Sequence, residues 1–97
     1  MRFILMNGRY YINIDKIEHI DIFFSKTTLR VCTENTEYHY DINDEAIPKK
    51  YRSVVAQRML EHIISKLTDT DTSVIYVNPA LELHIYDKVK ESETGEN

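Results

Sequence analysis

The chain opens with Phe3-Ile4-Leu5-Met6-Asn7-Gly8-Arg9-Tyr10-Tyr11-Ile12-Asn13-Ile14, in which an asparagine–glycine pair separates two β-rich runs. Such a pair favours a type I′ hairpin turn, because both central residues of that turn need positive φ. A two-residue loop at Asn7-Gly8 predicts that Leu5 pairs with Tyr10. The same register puts one set of side chains on a common face: Phe3, Leu5, Tyr10, Ile12 and Ile14.

Three more strands are predicted after this hairpin: residues 17–24, residues 29–33 and a run that follows a short turn at Glu34-Asn35. Short turns between them place Ile22 opposite Val31 and Leu29 opposite Tyr40. One face then carries these apolar side chains: Ile20, Ile22, Phe24, Leu29, Val31, Tyr38 and Tyr40. Because a slip of one residue would move a whole apolar set to the other face, this agreement favours a sheet. With the first hairpin, the prediction is a five-stranded antiparallel meander.

The pattern becomes helical from Pro48 to Leu67, where apolar residues recur at every fourth position. Pro48 suits the first turn of a helix, since its missing N–H would have no helical partner there. The apolar arc covers more than half of the circumference. One long amphipathic helix over residues 48–67 is therefore predicted to pack on more than one surface.

A second hairpin is predicted near the end of the chain, over residues 74–86. Asn78-Pro79-Ala80 separates two apolar runs there, and a three-residue loop would set Val77 against Leu81. The fold class is then α+β, with a single domain over residues 1–86. Residues 87–97 are rich in acidic side chains and are predicted to form a flexible tail.

Composition excludes several classes of protein. Hydrophobic residues make up 42% of the chain, which is typical of a globular domain and excludes wholesale disorder. The single cysteine, Cys32, cannot form an internal disulfide, and the first apolar run is too short for a signal peptide or a membrane span. These features favour a cytoplasmic protein without membrane contact. Nucleic acid is disfavoured as the main partner, because such binding depends chiefly on neutralising phosphates and the sequence has no stripe of interleaved basic and aromatic residues.

Basic residues are concentrated in the predicted helix, which carries five of them against one acidic residue. Lys49, Lys50 and Arg52 occupy its first turn, where the helix dipole makes cations unfavourable. One interpretation is an anion-binding site, in which the helix start and the three cations hold a phosphate group. The other interpretation is that neighbouring acids neutralise the cluster: Asp41, Asp44 and Glu45.

No sequence motif indicates a catalytic, cofactor or metal site. The predicted registers place polar groups together on the outer face of the meander, in two cross-strand rows: Asp21, Cys32 and Glu37, then Phe23, Arg30 and His39. Such groups can bind zinc in principle, but opposite-charge pairs on a solvated sheet give the same pattern. A Cys32–His39 nucleophile lacks an orienting third group. The sequence therefore predicts a protein that is not an enzyme and has no cofactor.

Apolar residues exceed what one helix can cover, since seven strands are predicted. Several side chains fall on the faces opposite the assigned core, and they predict an interface between copies of the chain: Ile4, Met6, Tyr11, Phe23 and Tyr76. A homo-oligomer, dimeric or higher, is the expected state. The alternative is a small closed barrel that buries both faces within one molecule.

The segment Phe3-Ile4-Leu5-Met6-Asn7-Gly8, with Ile12-Asn13, Ile17 and Ile20, resembles the small flagellar FlbD/SwrD family over residues 3–46. That family opens with an Asn-Gly hairpin, followed by an Asn, spaced isoleucines and a further hairpin. The chain departs from the family in lacking its proline after the second strand, and Glu34-Asn35-Thr36 replaces its second glycine turn. The long helix has no counterpart. The resemblance implies a small cytoplasmic non-enzymatic accessory protein.

Two function hypotheses follow from the sequence. The first is a non-enzymatic interaction protein that oligomerises and binds another macromolecule. The second is a protein that binds or sequesters a phosphorylated, nucleotide-like small molecule, with tyrosines stacking on the base and Lys49, Lys50 and Arg52 holding the phosphate. Small size and a hairpin-rich build suit an accessory protein of a bacterium or a phage.

Overall fold

Two three-stranded sheets and two helices make up the fold in the computed structural model, which describes residues 1–23 and 26–94. In chain order the elements are β1 (Phe3–Met6), β2 (Tyr10–Asn13), a 3-10 turn (Ile14–Lys16), β3 (Ile17–Phe23), β4 (Thr28–Thr33), β5 (Glu37–Asp41), α1 (Lys49–Leu67), β6 (Val74–Val77) and α2 (Pro79–Thr94). The first sheet has the order β2-β1-β6 and the second β3-β4-β5. The α+β class is confirmed. The five-stranded meander is wrong, because the strands form two separate sheets. In the first sheet β1 pairs antiparallel with β2 and parallel with the distant β6.

The first hairpin forms the expected turn but not the expected register. Asn7 and Gly8 have φ values of 57° and 66°, and the Arg9 N–H donates to the Met6 carbonyl oxygen at 3.1 Å. The strand ladder nevertheless pairs Met6 with Tyr10. Arg9 is thus an extra residue between the turn and the ladder, as in a β-bulge.

This one-residue displacement reverses the faces of β1 relative to β2, whose Ile12 is buried as predicted. Leu5 pairs with Tyr11 and not with the predicted Tyr10. Ile4 and Met6 therefore point into the core, where they are 0% and 1% exposed. The predicted face of Phe3 and Leu5 is the outer face of the first sheet.

The second sheet keeps the predicted common face. Leu29 pairs with Tyr40, as expected, whereas Ile22 pairs with Leu29 and not with Val31. A slip of two residues preserves the direction of every side chain, so these residues still pack in or against the core: Ile20, Ile22, Leu29, Val31, Tyr38 and Tyr40. Phe24, predicted to belong to the same face, lies outside the described residues.

The long helix is confirmed within one residue of its predicted start. α1 buries the following side chains: Val55, Ala56, Met59 and Ile63. It contacts β3 and β4 of the second sheet, β6 of the first sheet, and α2. The prediction that it packs on more than one surface therefore holds.

Arg2 closes the C-terminal end of α1. Its guanidinium donates to the carbonyl oxygens of Lys66 (2.9 Å), Leu67 (3.1 Å), Asp69 (2.7 Å) and Thr72 (2.8 Å). Carbonyls in the last turn of a helix have no partner within the helix, and a basic side chain can satisfy them. Arg2 thereby fixes the start of β1 against the loop that leads into β6.

The predicted C-terminal hairpin is wrong. β6 is a strand, but α2 replaces the second strand of the hairpin. The Asn78 side chain caps this helix by accepting a hydrogen bond from the Leu81 N–H at 2.9 Å, and Pro79 takes the first helical position. The helix continues through residues 87–94, which the sequence predicted to be a flexible tail; residues 95–97 lie outside the described part. Neither α1 nor the described length of α2 has the apolar run that a membrane crossing requires.

Candidate functional site

The outer face of the first sheet carries an apolar row across all three strands. Leu5 of β1 pairs with Tyr11 of β2 on one side and with Tyr76 of β6 on the other. Tyr11 is 65% and Tyr76 55% exposed, and Leu5 between them is half-buried. The Phe3 ring meets Tyr11 edge-on, with 5.8 Å between ring centroids. We call five side chains the aromatic face: Phe3, Leu5, Tyr11, Val74 and Tyr76.

The aromatic face ends at an open strand edge. The carbonyl of Ser73 accepts a bond from the Phe3 N–H, and that of Val77 from the Asn7 N–H, at 2.9 and 2.8 Å. Because backbone groups alternate in direction along a strand, those of Val74 and Tyr76 point away from β1. Across residues 1–23 and 26–94, no other strand pairs with that side of β6.

The five predicted interface residues fall in three places. Ile4 and Met6 belong to the core of the protomer, so they cannot contact a partner. Tyr11 and Tyr76 lie together on the aromatic face. Phe23 lies half-buried on the other sheet, with the Arg30 guanidinium carbon 4.7 Å from its ring centroid.

The predicted anion site is divided by the local structure. Arg52 donates to the carbonyl oxygens of Ile47 (3.0 Å) and Asp44 (3.2 Å), and so holds the loop before α1. Lys49 and Lys50 are exposed at the helix start. Of the three cations predicted to bind phosphate, Arg52 is therefore already bound to backbone carbonyl oxygens.

The polar outer face of the second sheet consists of ion pairs. Arg30 donates from Nε to Asp21 Oδ1 at 2.8 Å, and its Nη1 lies 3.6 Å from Glu37 Oε1. The hydrogen bond from Arg30 lowers the pKa of Asp21. Cys32 is buried, and burial raises the pKa of its thiol, which disfavours a thiolate nucleophile. Among the described residues, no His, Cys, Asp or Glu groups are arranged to hold a metal ion.

Sequence reasoning missed a buried acid, Glu82, which is 2% exposed. The Tyr40 hydroxyl donates to its Oε2 at 2.7 Å, whereas its Oε1 accepts no hydrogen bond from the described residues. Burial raises the pKa of Glu82, and the hydrogen bonds from Tyr40 and the Asp44 backbone offset only part of this shift. Burial and the neighbouring Glu82 also raise the pKa of Tyr40.

A helical spacing could have revealed Glu82. Glu82, Ile85, Tyr86 and Val89 follow the i, i+3, i+4, i+7 pattern of a helix face that packs on a core. Of these, Ile85 is also buried. The carboxylate therefore occupies an apolar position of the pattern, and a buried carboxylate with a raised pKa is typical of a functional site.

Comparison of the chain with protein-family models, with curated proteins and with solved structures gives no match. The resemblance of residues 3–46 to the FlbD/SwrD family stays a prediction.

Proposed function

We propose that this chain is a non-enzymatic, cytoplasmic interaction protein that self-associates through β6 and the aromatic face. The observation that carries the proposal is the exposed row Tyr11–Leu5–Tyr76, which runs up to an unpaired strand edge. An apolar strand edge with unpaired backbone groups is a template for pairing with another chain. The paired molecule would present a larger apolar sheet to a protein partner.

We expect a second copy of the chain to pair with the open edge of β6. Natural edge strands resist pairing by means of charged residues, proline or bulges, and β6 has none of these in Val74-Ile75-Tyr76-Val77. Two β6 strands related by a two-fold axis would run antiparallel. Val74 of one copy would then lie opposite Tyr76 of the other, and the outward backbone groups of both would form four hydrogen bonds.

The size of the aromatic face favours edge pairing over face-to-face stacking. Three strands of four residues cover roughly 13 by 14 Å, which is about 180 Å² in projection. A stable dimer buries about 800 Å² on each partner. The face alone is too small, so a dimer would need the edge hydrogen bonds and the rim contacts that pairing of β6 supplies.

Sedimentation velocity over about 1 to 100 µM tests the proposal, and the wild-type protein is expected to dimerise. Tyr76→Arg places a charge on the edge and should raise the dimer dissociation constant at least tenfold, which corresponds to about 1.4 kcal/mol. Val74→Pro removes an N–H that is unused within the protomer and should have a similar effect.

Ile64→Arg is the matched control, because Ile64 is a 48% exposed apolar residue of α1 and belongs to neither β6 nor the aromatic face. It should leave the dissociation constant unchanged. A wild-type protein that is monomeric at 100 µM would contradict the proposed dimer. So would a Tyr76→Arg protein that dimerises like the wild type while keeping its circular dichroism spectrum.

One further observation favours a second candidate function, the binding of a phosphorylated small molecule. A groove of about 500 Å³ between α1 and α2 is lined by Arg58, His62, His84 and Lys88. Burial, Lys66 and His84 lower the pKa of His62, which favours its neutral form. In this groove, and not at the start of α1, two cations share one concave surface: Arg58 and Lys88. Glu61 lines the same groove and lies 3.6 Å from Arg58.

Thermal-shift measurements with nucleoside mono-, di- and triphosphates test this second candidate. A bound phosphate compound should raise the melting temperature of the wild type, and Lys88→Gln should reduce the shift. Lys16→Gln serves as the control, because Lys16 is an exposed lysine that does not line the groove and belongs to no predicted anion site. No shift with any nucleotide would leave the interaction protein as the only candidate.

A further inference from the structure

A pocket of about 260 Å³ lies where the β1–β2 turn, the end of β5 and the first turn of α2 meet. We call it the acidic pocket. Its polar lining comprises seven residues: Asn7, His39, Tyr40, Asp41, Asn43, Asp44 and Glu82. Oxygen acceptors therefore dominate its walls, and three of these side chains are carboxylates.

Glu82 supplies a buried acceptor that is not in use. The Tyr40 hydroxyl donates to Oε2, and the Asp44 backbone also bonds to this carboxylate. Oε1 is buried and accepts no hydrogen bond from residues 1–23 and 26–94 that meets normal geometry. Nearly all buried polar atoms in folded proteins have a partner, because an unpaired one costs about 1 to 3 kcal/mol. A donor brought by a ligand would satisfy this oxygen.

One cation lies beside the pocket: Arg52 donates to the Asp44 carbonyl oxygen at 3.2 Å, and its charge acts on Glu82. Within the described residues Arg52 forms no ion pair with the carboxylates of the pocket. The Thr28 hydroxyl donates to Asp41 at 2.7 Å, and the Ala46 N–H donates to Asp44 at 2.9 Å, so both known partners are neutral. Throughout the described ranges, no lysine or arginine side chain forms an ion pair with Asp41, Asp44 or Glu82. Three acids around one concave surface produce a negative potential that attracts cations.

The spacing of the acids favours an organic cation over a metal ion. A metal ion needs several ligand atoms within about 2.0 to 2.6 Å of one point. Within residues 1–23 and 26–94, no acidic or histidine groups converge in that way. A guanidinium carries five N–H donors in a planar fork, and can therefore reach carboxylates that lie apart from one another.

We propose that the acidic pocket binds a guanidinium or primary ammonium group. Glu82 Oε1 is the innermost acceptor, and the more exposed Asp41 and Asp44 bind the remaining donors. Charge-assisted hydrogen bonds of this kind are stronger than neutral ones, and burial strengthens them further. The cationic group belongs either to a small free amine or to an arginine or lysine side chain of a peptide.

Isothermal titration calorimetry with two probes tests the proposal and separates the two sources. The probes are agmatine and the blocked peptide acetyl-Gly-Arg-Gly-amide, and the same peptide with citrulline is the neutral comparison. We expect at least one cationic probe to bind and the citrulline peptide not to bind. Binding of agmatine alone would indicate a small amine, and binding of the peptide would indicate a side chain.

Glu82→Gln keeps an acceptor for Tyr40 and removes the charge, so it should weaken binding at least tenfold. Glu18→Gln is the matched control, because Glu18 is exposed on β3 and does not line the pocket. Asp41→Asn changes an exposed residue and should weaken binding severalfold even if the Glu82 variant folds poorly. Failure of both probes to bind, or equal affinity in the wild type and both pocket variants, would overturn the proposal. Binding of Ca²⁺ alone would do the same.

Discussion

Arg2→Ala is expected to lower the free energy of unfolding by about 3 kcal/mol, as measured by urea denaturation at pH 7. The substitution removes four hydrogen bonds from one guanidinium to carbonyl oxygens at the end of α1 and in the following loop. Hydrogen bonds that involve a charged group contribute more than neutral ones, but bonds made by one side chain are not additive. The value of about 3 kcal/mol therefore lies well below four independent contributions.

Two further variants test whether the loss of stability is specific to the guanidinium of Arg2. Arg9→Ala removes an exposed arginine whose guanidinium carbon lies 5.4 Å from the Tyr10 ring centroid, and should change stability by less than about 0.5 kcal/mol. Arg2→Lys should recover less than half of the loss, because an ammonium has three donors and no planar fork. A loss of less than about 1 kcal/mol in Arg2→Ala would show that Arg2 does not hold α1 and β1 together.

Glu82→Gln is expected to stabilise the protein by about 2 kcal/mol at pH 8 and to have little effect at pH 4. Burial raises the pKa of Glu82 above its ordinary value of 4.5. Below 4.5 the carboxyl is protonated in both the folded and unfolded states, so burial of charge costs nothing. As the pH rises, the unfolded state ionises first and folding becomes less favourable, until the folded state also ionises. At higher pH the folded protein carries the full destabilisation caused by the buried charge of Glu82.

Urea denaturation at pH 4, 6 and 8 measures this effect as the difference between the two proteins. The difference should grow with pH for Glu82→Gln and stay near zero for the control Glu18→Gln. A constant difference at all three values would mean that packing, and not charge, sets the effect of the substitution. Together with the calorimetry, this experiment shows whether the acid that binds a cation also destabilises the free protein.

The first hairpin shows how far a local pattern can predict structure. Asn7-Gly8 correctly indicated the turn, because its positive φ values are a property of those two residues. The register depended on whether Arg9 belonged to the ladder or to a bulge, and nothing in the local sequence distinguishes these. One residue decided whether Ile4 and Met6 would be buried, so the predicted interface included two core residues.

The second strand of the C-terminal hairpin is a wrong prediction, because a strand-like and a helix-like spacing of apolar residues overlap in this segment. Leu81, Leu83 and Ile85 alternate as in a strand, and this alternation favoured a hairpin. The correct spacing passes through Glu82, which an apolar pattern does not accept. Asn78-Pro79 is a good helix start as well as a turn, and only the tertiary structure distinguishes the two.

Long-range pairing explains most of the remaining differences between the predicted and the observed fold. The parallel contact of β1 with β6, and the contact of Arg2 with the end of α1, join residues from opposite ends of the sequence. Local patterns carry no information about such contacts. The candidate site was partly accessible nevertheless, because Tyr11 and Tyr76 were recognised as apolar residues without a place in the core.

The parallel pairing of β1 with β6 also sets the order in which the chain can be completed. On the ribosome, Phe3 emerges well before its neighbour Val74 is synthesised. The β3–β5 sheet can close from nearby residues, whereas β1 must await its partner, and such distant closure slows folding. During translation the opening hairpin therefore stays incomplete, with Ile4 and Met6 accessible to chaperones until β6 arrives.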